Sequence, residues 1–185
     1  MISTNEFRSG LYIKINGQLY NIISSQHHKP GKGGAVVRTK LKNLKTGSTI
    51  DKTFRSGECV EDAFIEEKKY QYLYKDDGIY HFMDSSTFEQ IAVSQEIIGD
   101  NKKFLKENTE LSVLSCEGSI ISIKLPIFID LLVVDTEPGT RGDTVKAGTK
   151  NAKLETGYSI QVPLFINKGT RVRIDTRTGK YIGRS

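Results

Sequence analysis

Along most of the chain apolar and polar residues alternate one by one, the period of a strand with one buried face. LYIKIN sets Leu11, Ile13 and Ile15 against Tyr12, Lys14 and Asn16. Asn16-Gly17 follows, a pair that tolerates positive φ and favours a tight hairpin, and QLYNIIS returns as the second strand. After KPGKGG, AVVRTKLKNL places Ala35, Val37, Thr39 and Leu41 on one face. Val36, Arg38, Lys40 and Lys42 take the other, so this strand has a mostly basic outer side. Thr46-Gly47 turns the chain and STIDKTFR goes back. Four or five short strands in about 60 residues predict a small barrel.

The same pattern continues. In KKYQYLYKDDGIYHFMD, Tyr70, Tyr72 and Tyr74 alternate, Asp76-Asp77-Gly78 turns, and Ile79 to Met83 pairs back. Ser86-Thr87-Phe88-Glu89 has capping-box spacing and predicts a short helix. A second short helix is predicted in DNKKFLKEN with Asp100 as its cap. ELSVLSCEG and SIISIKLP form another hairpin, and FIDLLVVDT is a strand after Pro126. EPGTRGDTVKAGTKN is a long Gly/Thr-rich loop of the kind that is often functional. TGYSIQVPLFIN, TRVRIDT and KYIGR are three more strands, with Arg171 and Arg173 on one face and Pro163 marking an edge or a bulge. The reading is all-β: three consecutive small barrels over residues 1–64, 65–127 and 128–185, with the KPGKGG tip in the first.

With 185 residues, 37% of them hydrophobic and 26% charged, the composition suits a soluble globular protein. No apolar run reaches the length of a membrane helix, and MISTNEFRSG lacks the order of a secretory signal, so a cytoplasmic location without membrane attachment is expected. Cys59 and Cys116 are far apart, outside any CxxC, and read as reduced residues. Net charge is +5 over residues 1–63, −4 over 64–127 and +4 over 128–185. Two basic ends around an acidic middle fit a polyanion, such as a folded RNA, contacted at both ends.

Catalytic patterns are missing. Gln26 stands where a P-loop needs its first glycine, and Gly33 where it needs its lysine-adjacent serine or threonine. GYSIQ fails as a nucleophile elbow at its last position. His27 and His28 are adjacent and would point to opposite faces of a strand, and His81 sits in an aromatic strand as a structural residue. No cofactor, metal or enzymatic activity is expected. The tip has its own logic. Pro30 fixes a φ angle, and Gly31, Gly33 and Gly34 let a partner approach the backbone. Lys29 and Lys32 supply the charge, so Lys32 is either a solvated loop lysine or a positive probe for phosphate or a tight RNA site.

Over its whole length the chain resembles the bacterial translation elongation factor P family. The resemblance runs through NEFRSGLYIKINGQLYNI, KPGKGGAVVRTKLKNLKTGSTIDKTFRSGE and GIYHFMDSSTFEQI. Its strongest part is near the C-terminus, where Lys150, Ala152, Gly157, Ile160, Val162, Pro163, Ile166 and Gly169 fall at the family signature's spacing. It implies an SH3-like, KOW-type barrel followed by two OB-fold barrels in an L-shaped arrangement that mimics transfer RNA. It implies a protein that binds the 70S ribosome beside peptidyl-tRNA and acts on stalled, above all polyproline, sequences. The sequence itself gives no sign of a stable oligomer, so a monomer is the simpler expectation. Lys32 would enter the peptidyl-transferase centre. Lysine-tip members typically carry a modification there, such as a β-lysyl group added by a lysine-modifying enzyme. KPGKG occurs with different lysine modifications, so the tip leaves that chemistry open, while Lys32 argues against the sugar carried by arginine-tip relatives. Gly142, Asp143 and Thr144 match the loop placed near the exit-site mRNA codon, and Tyr181 and Arg184 match the tRNA-facing C-terminus. The competing expectation is a general single-stranded RNA-binding protein that stacks bases on Tyr70, Tyr72 and Tyr74.

Overall fold

A computed structural model of the chain describes residues 1–29, 33–137 and 148–185. Pro30, Gly31 and Lys32 of the tip, and Gly142, Asp143 and Thr144 of the long loop, lie outside the described residues.

The architecture is three antiparallel sheets. The first contains β1 (Ile2–Ser3), β2 (Tyr12–Ile15), β3 (Gln18–His28), β4 (Val36–Asn43), β5 (Thr49–Arg55) and β6 (Cys59–Asp62), in the order β1-β6-β2-β3-β4-β5. The second contains β7 (Glu66–Asp76), β8 (Ile79–Asp84), β9 (Gln90–Ser94), β10 (Glu110–Cys116) and β11 (Ser119–Lys124), in the order β11-β10-β7-β8-β9. The third contains β12 (Phe128–Thr136), β13 (Thr149–Leu154), β14 (Ser159–Pro163), β15 (Arg171–Asp175) and β16 (Lys180–Arg184), in the order β14-β13-β12-β15-β16. Its outer strands β14 and β16 also touch, so this sheet curls most of the way into a barrel. The chain forms two compact units, residues 1–67 with 114–122, and residues 68–113 with 123–185.

Alternation decides what is buried. On β4, Val37, Thr39, Leu41 and Asn43 face inward, while Arg38, Lys40 and Lys42 face solvent. Val37 and Leu41 join Phe7, Ile13, Tyr20, Ile22, Phe54 and Val60 in the first sheet's core, where Phe7 meets Phe54 edge-on at 5.4 Å between centroids. The buried Thr39 hydroxyl donates to the Lys52 carbonyl at 2.8 Å, so its polar atom has a partner. The third sheet buries Leu131, Val133, Leu154, Val162, Ile166, Val172 and Ile174, all without measurable exposure.

Four expectations need correction. The stretch 137–151 is not loop to its end, because Thr149, Lys150 and Asn151 belong to β13. Ser86–Glu89 is not a helix but the turn between β8 and β9. The Asp84 carboxylate accepts the N–H groups of Ser86 at 2.7 Å and Thr87 at 3.1 Å, and the Asp84 carbonyl accepts that of Phe88 at 3.0 Å. Asp84 captures the donors a helix start would have used. The second helix begins earlier than Asp100: one α-turn, α1 (Gln95–Ile98), runs into a 3-10 turn, Gly99–Lys103. Asp100 lies inside that turn and pairs with Lys103 at 2.8 Å instead of capping. Finally, a register shift between Tyr72 and Tyr74 breaks the tyrosine alternation. Tyr72 is buried against Tyr80 and Phe82, while Tyr74 is exposed and stacks on His81 at 4.6 Å.

Candidate functional site

The glycine-rich tip connects the two longest paired strands of the first sheet. β3 and β4 shift register once, between Ile22 and Ser24, and then pair regularly from Ser24↔Lys40 to His28↔Val36. Lys29, Gly33 and Gly34 are exposed beyond that pair. Gly33 has φ of 112°, a conformation L side chains rarely adopt. A side chain at Gly34 would meet nothing within 4 Å, so space for a close partner is open there. The hairpin is fixed from beneath. Val37 is fully buried between His27 and Phe54 in the register, and the Ala35 carbonyl accepts the Ser56 N–H at 2.9 Å.

A basic stripe leads to the tip. Arg38 lies across from Gln26 and Thr53, Lys40 from Ser24 and Asp51, and Lys42 from Asn21 and Thr49. Asp51 is the one carboxylate among these cross-strand neighbours, so the stripe keeps a net positive charge. Such a surface suits a phosphate backbone. The electrostatics can bind and orient a polyanion, with no acid–base pair to act on it.

The long loop's two ends are tied together. The Thr136 hydroxyl donates to the Asn151 carbonyl at 2.9 Å. Lys150 is a buried cation, and its Nζ donates to the Glu137 carbonyl at 2.8 Å. These bonds explain why a signature position holds lysine on an inward-facing side of β13, where alternation asks for an apolar residue.

At the C-terminal edge, Tyr181 is half-buried and Arg184 exposed on β16. Beside them Arg173 forms a two-bond pair with Asp130, both at 2.9 Å. Arg173 holds the Asp130 carboxyl below its ordinary range, helped by the Ser185 hydroxyl, while the Arg173 pKa rises. On β15, Asp175 accepts two bonds from the Arg177 guanidinium, at 3.1 and 2.7 Å. Arg177 therefore lowers the Asp175 pKa to about 2. Sequence reasoning missed Phe165, which is exposed beside Arg184. The available signal was LFI after Pro163, one more apolar residue than the alternation can bury.

The tip and the C-terminal residues occur on different sheets, in different compact units. Among the described residues no group of three or more His, Cys, Asp or Glu is placed to hold a metal ion. Both cysteines are free. No helix among the described residues is long and apolar enough to cross a membrane.

Comparison with known proteins agrees along the chain. Three family models match: "Elongation factor P (EF-P) KOW-like domain" over residues 3–60, "Elongation factor P (EF-P) OB domain" over 65–123, and "Elongation factor P, C-terminal" over 129–184. Elongation factor P of Moorella thermoacetica is 55% identical over 185 residues, the whole of both chains. That of Caldicellulosiruptor saccharolyticus is 52% identical over 184 residues, again covering both chains. Among solved structures, a eukaryotic translation initiation factor 5A from Methanococcus jannaschii superposes with a TM-score of 0.51 at 22% identity. It covers 66% of this chain and 92% of that one, a likeness of fold. With full-length relatives above half identity and a match in every sheet, the chain belongs to the elongation factor P family and is a translation factor, not an enzyme.

Proposed function

We propose that this factor binds the 70S ribosome beside peptidyl-tRNA and promotes peptide-bond formation where synthesis stalls on consecutive prolines. It does so by holding the tRNA acceptor end, with Lys32 as the probe. The observation that carries this reading is the rigidly based β3–β4 hairpin, which ends in KPGKGG and presents Arg38, Lys40 and Lys42 along its outer face. Proline is a poor nucleophile, and its ring holds the reactants in unproductive geometries. Correct orientation alone is worth up to about 7–11 kcal/mol in the best intramolecular cases, so a factor that only positions can supply a useful part of that. The ribosome makes the bond, and the protein needs no catalytic group.

In this proposal the chain is a cytoplasmic monomer of three modules, residues 1–64, 65–127 and 128–185. The first carries the tip, and Lys29, Pro30, Gly31, Gly33 and Gly34 shape its approach. Lys32 is the substrate of a lysine-modifying enzyme that lengthens the side chain, a β-lysyl group being one example of the additions open to it. Gly142, Asp143 and Thr144 approach the exit-site codon, and Tyr181 and Arg184 face the tRNA. The full-length family match supports these assignments.

The test is the rate of peptide synthesis through Pro-Pro-Pro on purified ribosomes, with no factor, with protein from its native source, and with Lys32→Ala. Restoration by the native protein alone, with no effect on a proline-free message, is the expected result. A fully active Lys32→Ala variant sinks the role of the tip. Exposed Tyr74, stacked on His81, favours a second reading as a single-strand RNA binder. Tight, length-dependent binding to unstructured RNA at moderate salt would move the conclusion there.

A further inference from the structure

The turn that ends β14 treats three consecutive apolar residues in three ways. The Leu164 N–H donates to the Gly148 carbonyl at 3.1 Å. The Leu164 side chain covers Gly148 so closely that a Cβ there would come within 2.9 Å of Leu164 Cδ1. The Ile166 N–H donates to the Pro163 carbonyl at 3.1 Å, and the Ile166 side chain is fully buried. Phe165 stands between these two anchors and is 59% exposed. Its neighbours hold the backbone, so the turn itself displays the ring.

One group lies on that ring. The guanidinium carbon of Arg184 is 5.2 Å from the Phe165 centroid. Arg184 is next to last in the chain, yet its strand end is tied down. The Ser185 N–H donates to the Arg171 carbonyl at 3.1 Å, and its hydroxyl donates to Asp130 Oδ2 at 2.8 Å. Asp130 is occupied by Arg173 through both carboxylate oxygens. Of these two arginines, Arg173 is therefore neutralised. Arg184 has no salt bridge among the described residues and is held by an aromatic face.

We propose that Phe165 is a positioning residue that holds the Arg184 guanidinium over its ring and presents the guanidinium's free N–H groups to RNA. The proposal rests on the ribosomal function above and adds a residue to it. A guanidinium donates in parallel to phosphate oxygens and stacks on bases with its plane, and both uses need a fixed orientation. Stacking beforehand removes part of the ordering cost that a free arginine side chain meets on binding. A cation–π contact at an exposed site corresponds to about a two- to fivefold change in affinity.

The experiment titrates labelled full-length protein onto ribosomes carrying peptidyl-tRNA, using wild type, Phe165→Leu, Phe165→Tyr, Arg184→Gln and the Phe165→Leu/Arg184→Gln double variant. Phe165→Leu is expected to weaken binding about two- to fivefold, with Phe165→Tyr close to wild type. The double variant is expected to bind no more weakly than Arg184→Gln, because Phe165 acts through the arginine. In the free protein, the Arg184 Nε–H resonance should carry a ring-current shift that Phe165→Leu abolishes. Wild-type binding by Phe165→Leu or by Arg184→Gln overturns the proposal, and so do penalties that multiply in the double variant. A wild-type protein that binds yet fails to speed proline synthesis counts against the proposed function and leaves this inference standing. Failure of wild type to bind at all sinks both.

Discussion

Val37→Ala tests whether the tip hairpin works from a rigid base. Val37 is fully buried on β4, between its register partners His27 on β3 and Phe54 on β5. It is the last fully buried side chain on β4 before the glycine-rich tip. The substitution removes two methyl groups, worth about 1.6 kcal/mol at roughly 0.8 kcal/mol per buried carbon. Packed strands on both sides limit collapse into the vacated space, so a cavity term adds to this and brings the cost to about 2–3 kcal/mol. For a unit of this size that is a fall of about 8–24 °C in melting temperature. Chemical denaturation with hydrogen exchange on the β3–β4 amides reads the first number, and a thermal melt reads the second. Below the new melting temperature, Val37→Ala should also rescue proline synthesis less well than wild type, because a loose base displays the tip in many directions. Lys40→Ala, on the outer face of the same strand, should leave stability within about 0.5 kcal/mol of wild type. A Val37→Ala loss below about 0.5 kcal/mol, with unchanged exchange at the hairpin, would refute the packing argument.

Three further outcomes follow from named contacts. Phe82→Ala removes a fully buried ring packed on Tyr72 at 5.4 Å, and should cost about 3–5 kcal/mol in the second sheet, measured by exchange in β7 and β8. Arg173 and Arg177 hold the carboxyls of Asp130 and Asp175 below the ordinary value of 3.8, Asp175 near 2. The stability these carboxylates add is therefore present above pH 3.8 and lost as pH falls toward 2, and Asp175→Asn should flatten the acid limb of the third sheet's denaturation profile. Lys150→Ala empties a buried site and leaves the Glu137 carbonyl without its donor, so it should destabilise by about 2–4 kcal/mol, while Lys150→Met, which keeps the volume, should lose far less. Equal losses from the two Lys150 variants would show that the hydrogen bond and not the packing dominates.

Most of the strands, the Asn-Gly and Asp-Gly turns and the basic outer face of β4 were legible in the sequence, because a period of two and a glycine after asparagine or aspartate act over a few residues; β9 and β13 were not read as strands. The same locality let Lys32 and its glycines stand out before any coordinates, and let the family signature place Lys150 and Pro163. Where a residue's fate depended on a neighbour far along the chain, the sequence was silent or misleading. Ser86–Glu89 carries helix-start spacing, yet Asp84 takes its donors because β8 and β9 must meet as a hairpin. Tyr74 continues an alternating series, yet the bulge opposite His81 turns it to solvent. Lys150 looks like a surface lysine, and only the folded third sheet brings the Glu137 carbonyl within reach of its buried ammonium. Phe165 and Arg184 are 19 positions apart, and their contact exists because the third sheet curls until β14 and β16 touch. Local sterics and side-chain periodicity are written in consecutive residues. The partners of a bulge, a buried charge or an aromatic–cation pair are chosen by sheet closure, which is a property of the packed chain as a whole.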